Sequence, residues 1–374
     1  MTGRPGAYVH VPYCAHRCAY CSFVAVTGRE TERPYFDAVV REARARAGEV
    51  EGPLETVYFG GGTPSYAEPS NLGRVLAALR ETFGIAAGAE LTVEANPDDL
   101  DDRRLSELVD LGVNRLSIGI QSLSDGELEP LERRHDASGA LEALRRAVAR
   151  NLRVSADLMI GIPGQSKESL VRSLGTILAE GVGHVSVYLL EIEKAPRLVA
   201  MREAAPALFA GDEEMVARWE MVDDLCTAGG RMRYETSNWA RAGDESRHNL
   251  KYWRREPVVA LGVSAASFDG VTRRTNSGSI PAYLRAVEGA GTAFVADETL
   301  PAEDAQRELV LLGLRMADGV TETAFEAAVA TLSGSDRARL DDAFAAGLLA
   351  REGGRVRLTR PGVLLSNEVF SALL

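Results

Sequence analysis

Over the first two thirds of the chain, apolar and polar positions alternate in blocks that follow a strand-then-helix rhythm. Short apolar runs predict strands at Ala7 to Val11, Thr56 to Phe59, Glu90 to Glu94, Arg115 to Ile118, Val154 to Ile160 and His184 to Glu191. Between them, apolar residues spaced three and four apart predict helices at about Glu32 to Ala47, Pro69 to Phe83, Asp99 to Leu111, Ser138 to Asn151, Ser166 to Glu180 and Asp212 to Ala228. Neighbouring strands joined through helices run parallel, because a parallel pair requires a crossover. The predicted fold is therefore α/β: an open six-unit partial (β/α) barrel with helices outside. A closed eight-unit barrel needs two more units than the pattern supplies.

From about Pro301 the pattern changes. Helical spacing at Glu303 to Met316 and Ser335 to Ala346 precedes a hairpin at Leu348 to Leu358, with Gly353-Gly354 at its turn. This predicts a small winged-helix-like α+β domain. The expected division is a barrel over 1–235, a connecting segment over 236–300 and a lid or docking domain over 301–374.

Composition adds limits. The chain has 374 residues, 45% hydrophobic and 26% charged, as in an ordinary globular protein. No apolar run reaches the roughly 18 to 20 residues of a membrane span, and no signal-peptide core is visible, so a cytoplasmic protein is expected. The net charge of −12 argues against nucleic acid as a partner. The C-terminal module carries eight arginines and no lysine against eleven acids, a poor footing for phosphate contact.

Three of the four cysteines lie in one stretch, Cys14, Cys18 and Cys21, spaced C-x3-C-x2-C. A disulfide framework does not fit this distribution, and distant Cys226 reads as a buried helix residue. Three thiolates on one tight loop suit the corners of a [4Fe-4S] cluster with one iron left open, whereas an electron-transfer cluster normally takes four. A Cys3His zinc site with His10 or His16, or a chance grouping of three cysteines, is the alternative.

The strand ends hold the other candidate chemistry, since ligands of parallel α/β folds gather there. They read Gly60-Gly-Gly-Thr63-Pro64, Glu94-Ala-Asn96-Pro97, Gly119-Ile-Gln121-Ser122 and Asp157-Leu-Met-Ile-Gly161-Ile-Pro163-Gly164-Gln165. Missing side chains let backbone amides approach a ligand closely. Each of these stretches alone is also compatible with a tight turn or a helix cap.

Together, the cysteine loop with Tyr20 before its last cysteine, GGGTP, VEANP, Gly-Ile-Gln-Ser and DLMIGIPGQ resemble the oxygen-independent coproporphyrinogen III oxidase-like branch of the radical S-adenosylmethionine (SAM) superfamily. The motifs occur in that family's order and cover nearly the whole chain. The resemblance implies an open six-unit barrel, cluster ligation by Cys14, Cys18 and Cys21, and SAM contact by Tyr8, Gly61, Gly62, Thr63, Glu94, Gln121, Arg133 and Asp157. A carboxylate such as Glu94 or Asp157 accepts from ribose hydroxyls or an amino group, and Arg133 pairs with a carboxylate. Without the resemblance, Arg133 reads as a solvated charge.

Two departures point within that family to the HemW-type haem chaperones. The dehydrogenases have a fourth cysteine where this chain has Phe23, and a longer N-terminal extension. The run Arg247-His248-Asn249-Leu-Lys-Tyr252-Trp253 also matches the HNxxYW motif associated with haem. The resemblance makes His248 a candidate axial ligand flanked by Tyr252 and Trp253; alternatively these residues only support a loop and fill core. Where the family usually has a histidine in a Gly-Ala-His-Ser-type segment, this chain has Ala266.

The implied function is haem binding and transfer to a haem-accepting protein, with an electron donor for the cluster. The alternative is a radical oxidoreductase acting on a tetrapyrrole such as coproporphyrinogen III, an activity the two departures disfavour. A Schiff-base enzyme built on Lys194 leaves the cysteine loop unexplained.

Overall fold

A computed structural model describes residues 3–374. All six expected parallel strands form: β1 (Gly6–Val11), β2 (Leu54–Gly61), β3 (Ile85–Ala95), β4 (Arg115–Gln121), β5 (Arg153–Ile160) and β6 (His184–Leu189). They pair in sequence order, each parallel to the next. The crossover helices are α1 (Glu32–Ala45), α2 (Pro69–Thr82), α3 (Asp102–Asp110), α4 (Ala137–Ala149), α5 (Lys167–Ala179) and α6 (Asp212–Ala228). Their starts follow from sequence. The side chains of Asp101, Asp136 and Ser166 accept from backbone N–H groups of the first turns of α3, α4 and α5.

Alternation along the strands separates two environments. In β5, Val154, Ala156, Leu158 and Ile160 belong to the apolar core beneath the helices. On the other face, Ser155, Asp157 and Met159 turn into the barrel, where Asp157 and Met159 reach the cavity wall. Parallel strands buried on both faces are ordinarily apolar throughout. Here the inner face carries polar residues where it borders a cavity.

Residues 232–299 supply six more strands to the same sheet, five of them within 236–300. On one edge lie β7 (Met232–Glu235) and β8 (Asn238–Ala240), the latter antiparallel to β6. On the other, β9 (Val258–Leu261) pairs parallel with β1 and leads to β10 (Ala266–Phe268), β11 (Thr272–Asn276) and β12 (Phe294–Thr299). The sheet of twelve strands has the order β12-β11-β10-β9-β1-β2-β3-β4-β5-β6-β8-β7, an open and extended half-barrel. The expected C-terminal hairpin forms as Leu349–Glu352 and Arg355–Leu358, joined by Val320–Thr321 into a three-stranded sheet flanked by helices Ala302–Leu314 and Gly334–Ala345. Cys226 is fully buried. Among the described residues no helix is long and apolar enough to cross a membrane.

Candidate functional site

The cysteine loop follows β1 directly and closes one side of a cavity of about 390 Å³ at the C-terminal ends of the strands. Cys14, Cys18 and Cys21 line it, together with Gly61, Gly62, Thr63, Glu94, Gln121, Arg133 and Asp157. Seven of the eight expected SAM-contacting residues thus share a cavity with the three thiols. Tyr8 lies behind the wall, stacked on Tyr58 with ring centroids 6.1 Å apart.

Close packing explains the glycines. A Cβ on Gly61 would lie 2.5 Å from the His10 ring, and its φ of 112° disfavours any side chain. On Gly62 a Cβ would lie 2.8 Å from the Val11 carbonyl oxygen. The Gly61 N–H donates to Glu94 Oε2 at 2.9 Å and the Tyr58 hydroxyl to Glu94 Oε1 at 2.8 Å. Despite these donors, burial and the nearby Asp157 carboxylate push the Glu94 carboxyl up to about 7. Gln121, with φ 66°, follows a register shift between Gly119 and Gln121 that turns it toward the cavity.

Arg133 ties the walls together. Its Nη2 donates to Asn96 Oδ1 at 2.7 Å and to the Gly119 carbonyl at 2.6 Å, and its Nη1 reaches Cys18 Sγ at 3.4 Å. Asn96 in turn donates to Thr63 Oγ1 at 3.2 Å, and the Thr63 hydroxyl donates to Cys14 Sγ at 3.3 Å. Burial pushes the Cys14 thiol up to about 11, against the Thr63 hydrogen bond, and raises Cys21 as well. Both thiols stay protonated at neutral pH unless a metal displaces the proton. Burial and the Arg133 charge pull His135 down to about 4, so its ring beside Arg133 is neutral.

Of the other candidates, His10 and Lys194 lie outside the cavity, whereas His16 lines it beside the cysteines. His10, a possible zinc ligand, has both ring nitrogens engaged, with the Val24 carbonyl at 2.8 Å and the Tyr8 hydroxyl at 3.2 Å. His16 is within 3.8 Å of Glu132 Oε2. Lys194 is exposed beyond the end of β6.

The HNxxYW residues form helix α7 (Arg247–Trp253), capped by Ser246, whose hydroxyl accepts the Asn249 N–H. His248 is buried inside the barrel, its ring centroid 5.0 Å from that of Tyr58. His248 Nδ1 meets Thr56 Oγ1 at 2.8 Å and Nε2 meets the Tyr252 hydroxyl at 3.0 Å, so both ring nitrogens already have partners. Burial, with the Lys251 charge, pulls it down to about 3. Trp253 lies under the Arg315 guanidinium, 4.5 Å from the ring centroid. Ala266 is exposed on β10.

Sequence reasoning passed over Tyr58, Ser117 and Tyr188, all on the cavity wall. Each occupies an inward position of a predicted strand, and that alternation was the available signal.

Residues 8–177 match the radical SAM superfamily and residues 300–365 the HemN C-terminal domain. A heme chaperone HemW from Mycobacterium tuberculosis H37Rv is 36% identical over 382 residues, spanning 100% of this chain and 96% of its own. One from Bacillus subtilis is 33% identical over 376 residues, covering 98% of each. The structure of coproporphyrinogen III oxidase (HemN) from Escherichia coli, a radical SAM enzyme, aligns with a TM-score of 0.85 over 99% of this chain and 90% of that one. Its 23% identity makes that a likeness of fold.

The superfamily implies a [4Fe-4S] cluster and SAM, and the residues present fit both. Three thiols share one wall, two of them already accept hydrogen bonds, and the cavity floor carries carboxylates. The buried Nε of Arg133 has no hydrogen-bond partner among the described residues, so the guanidinium retains a donor for an incoming anionic group.

Proposed function

The chain belongs to the haem chaperone HemW family of the radical SAM superfamily, and we propose that it binds haem and passes it to an acceptor protein in the cytoplasm. A three-thiolate cluster and SAM occupy the cavity beside the barrel mouth. The observation that carries this reading is the convergence of Cys14, Cys18 and Cys21 with Glu94, Gln121, Arg133 and Asp157 on one cavity.

In this reading Cys14, Cys18 and Cys21 hold the cluster, and Thr63 and Arg133 donate hydrogen bonds to its sulfur ligands. When bound, the cluster would supply one-electron redox chemistry and an iron that the three cysteines leave without a protein ligand. Gly61 and Gly62 let SAM approach the backbone. Arg133 would pair with the SAM carboxylate, while Glu94, Asp157 and Gln121 would hydrogen-bond its amino and ribose groups, with Tyr8 supporting them from behind. Exposed Phe23 stands on the cavity rim in place of the fourth cysteine of the dehydrogenases. Haem is assigned to helix α7, with His248 as ligand and Tyr252 and Trp253 beside it; the His248 ring reaches iron only when the Tyr252 hydroxyl releases Nε2.

Anaerobic reconstitution followed by haemin titration tests the proposal. The wild type takes up about four irons with a cluster absorption band that Cys18→Ala abolishes, and it shifts the Soret band of haemin. Stoichiometric zinc without iron, or an unchanged Soret band, overturns it. Consumption of coproporphyrinogen III by the reduced protein replaces it with the oxidoreductase reading.

A further inference from the structure

The segment Tyr234-Glu-Thr-Ser-Asn238 has no part in the cluster or SAM cradle, yet it reaches that cradle through a hydrogen-bonded line across the barrel. Asp157 Oδ1 lies 2.9 Å from Ser155 Oγ, Ser155 Oγ lies 2.8 Å from His184 Nδ1, and His184 Nε2 lies 2.8 Å from the Tyr234 hydroxyl. Beyond it, the Ser246 N–H donates to the Tyr234 oxygen at 3.2 Å. Ser155 and His184 are buried, Tyr234 is partly exposed, and Asp157 faces the cavity. One end of the line is a cavity carboxylate and the other lies on an edge strand.

Proton counting gives the line a direction. A hydroxyl has one proton and two acceptor sites. If Asp157 is ionised it only accepts, so Ser155 spends its proton on Oδ1 and must itself accept from His184 and from Ser186 Oγ, 3.0 Å away. His184 then carries its proton on Nδ1, and its bare Nε2 accepts from Tyr234. Ser117 supplies a second donor to Asp157, at 2.8 Å on Oδ2; burial raises the Asp157 carboxyl, and these serine donors with the Arg115 charge work against that rise. If Asp157 is protonated, the line can reverse as a unit, with the His184 proton on Nε2. The groups facing His184 keep it neutral, hence directional. Burial, then the Arg115 charge, lowers it well below the usual histidine range.

We propose that His184 is a positioning residue: its Nδ1–H donates to Ser155, which turns the Ser155 proton onto the Asp157 carboxylate and aims that carboxylate into the cavity, while Tyr234 donates to the bare Nε2. The consequence for SAM rests on the reading of Asp157 as a SAM contact; the hydrogen-bond direction does not.

The test is the ring-nitrogen 15N spectrum of the full chain, in which five histidines must be resolved. The His184 signals, assigned by their loss in His184→Asn, are expected to show protonated Nδ1 and bare Nε2, and in Tyr234→Phe the proton is expected to stay on Nδ1, because Ser155 has no proton left to give it. An Nε2–H tautomer in the wild type overturns the proposal. In SAM equilibrium dialysis on the reconstituted protein, His184→Asn keeps an N–H near the Nδ1 position and is expected to bind within about twofold of wild type. His184→Leu loses that donor and is expected to bind about tenfold more weakly. Equal losses in both variants overturn the proposal. Should the leucine variant fail to fold, the spectra of the wild type and Tyr234→Phe still decide. An Nδ1–H tautomer in a wild type that binds no SAM supports the hydrogen-bond line and removes the SAM reading instead.

Discussion

The Arg133 guanidinium reaches 3.4 Å from the sulfur of Cys18 while its other terminal nitrogen holds Asn96 and Gly119. One partly buried cation thus joins the cysteine loop to the ends of β3 and β4. Its planar fork makes all these contacts together, which a lysine point charge does not. Arg133→Gln keeps a polar side chain and removes the charge. SAM affinity is expected to fall at least about tenfold, and the cluster potential to become more negative by tens of millivolts as a donor to sulfur is lost. Dialysis and potentiometric titration check both; Arg133→Lys is expected to restore only part of either.

Glu94 predicts a pH dependence. Its carboxyl, pushed up to about 7 mainly by burial, is protonated below neutrality and becomes an acceptor-only carboxylate as pH rises. SAM binding is therefore expected to tighten as pH rises through about 7, and Glu94→Gln is expected to flatten that profile. The stability sign is opposite. The folded state binds more protons than the unfolded one between about 4.5 and about 7, so this group favours folding at low pH and loses that contribution as pH rises through that window. Chemical denaturation at several pH values, in wild type and Glu94→Gln, measures the difference.

Much of this arrangement was legible in sequence. The six strands show because helix-facing residues such as Leu116, Ile118 and Ile120 alternate with polar ones, and capping residues such as Asp101 and Ser166 mark where helices begin. The five strands of 236–300 did not show. β11 reads Thr-Arg-Arg-Thr-Asn and β10 has only three residues, too short or too polar for a period to emerge. The residues at glycine-rich strand ends that line the cavity were legible through spacing and family motif. Tyr58 and Ser117 were not, because a polar residue on an inner strand face looks the same whether it faces a ligand or another side chain. The partners of His248 were hidden for a related reason: Thr56 lies 192 positions away, and only the fold brings the two together.

Phe23 is 62% exposed on the rim of the cavity. A substitution there removes little packing, so Phe23→Cys is expected to change stability by no more than about 0.5 kcal/mol. Placing the cysteine of the dehydrogenases there is also expected to leave iron at about four per chain and to confer no consumption of coproporphyrinogen III, since in the proposed reading Cys14, Cys18 and Cys21 already supply the ligands. Iron analysis and an anaerobic turnover assay check this. Turnover in the variant would make position 23 a determinant of activity.

The last prediction separates the two roles open to His248. Its ring is held by Thr56 and Tyr252 and stacks near Tyr58, so His248→Ala leaves a buried hydroxyl without a partner and opens a void. That variant is expected to lose about 2 to 4 kcal/mol of stability whether or not the ring ever meets haem. Loss of haem binding in it is therefore ambiguous. Tyr252→Phe is the cleaner probe, because it keeps the aromatic bulk and frees Nε2. If His248 ligates iron, removing the competing hydrogen bond is expected to tighten haem binding by about two- to tenfold. The same substitution is expected to raise the His248 pKa toward the usual range only where water or a ligand reaches the ring, since burial holds it down. Haemin titration of the wild type, Tyr252→Phe and the double variant with His248→Ala completes the cycle. Tighter binding in the single variant that disappears in the double one assigns iron ligation to His248. Equal affinity in all three makes the histidine a structural member of the barrel interior.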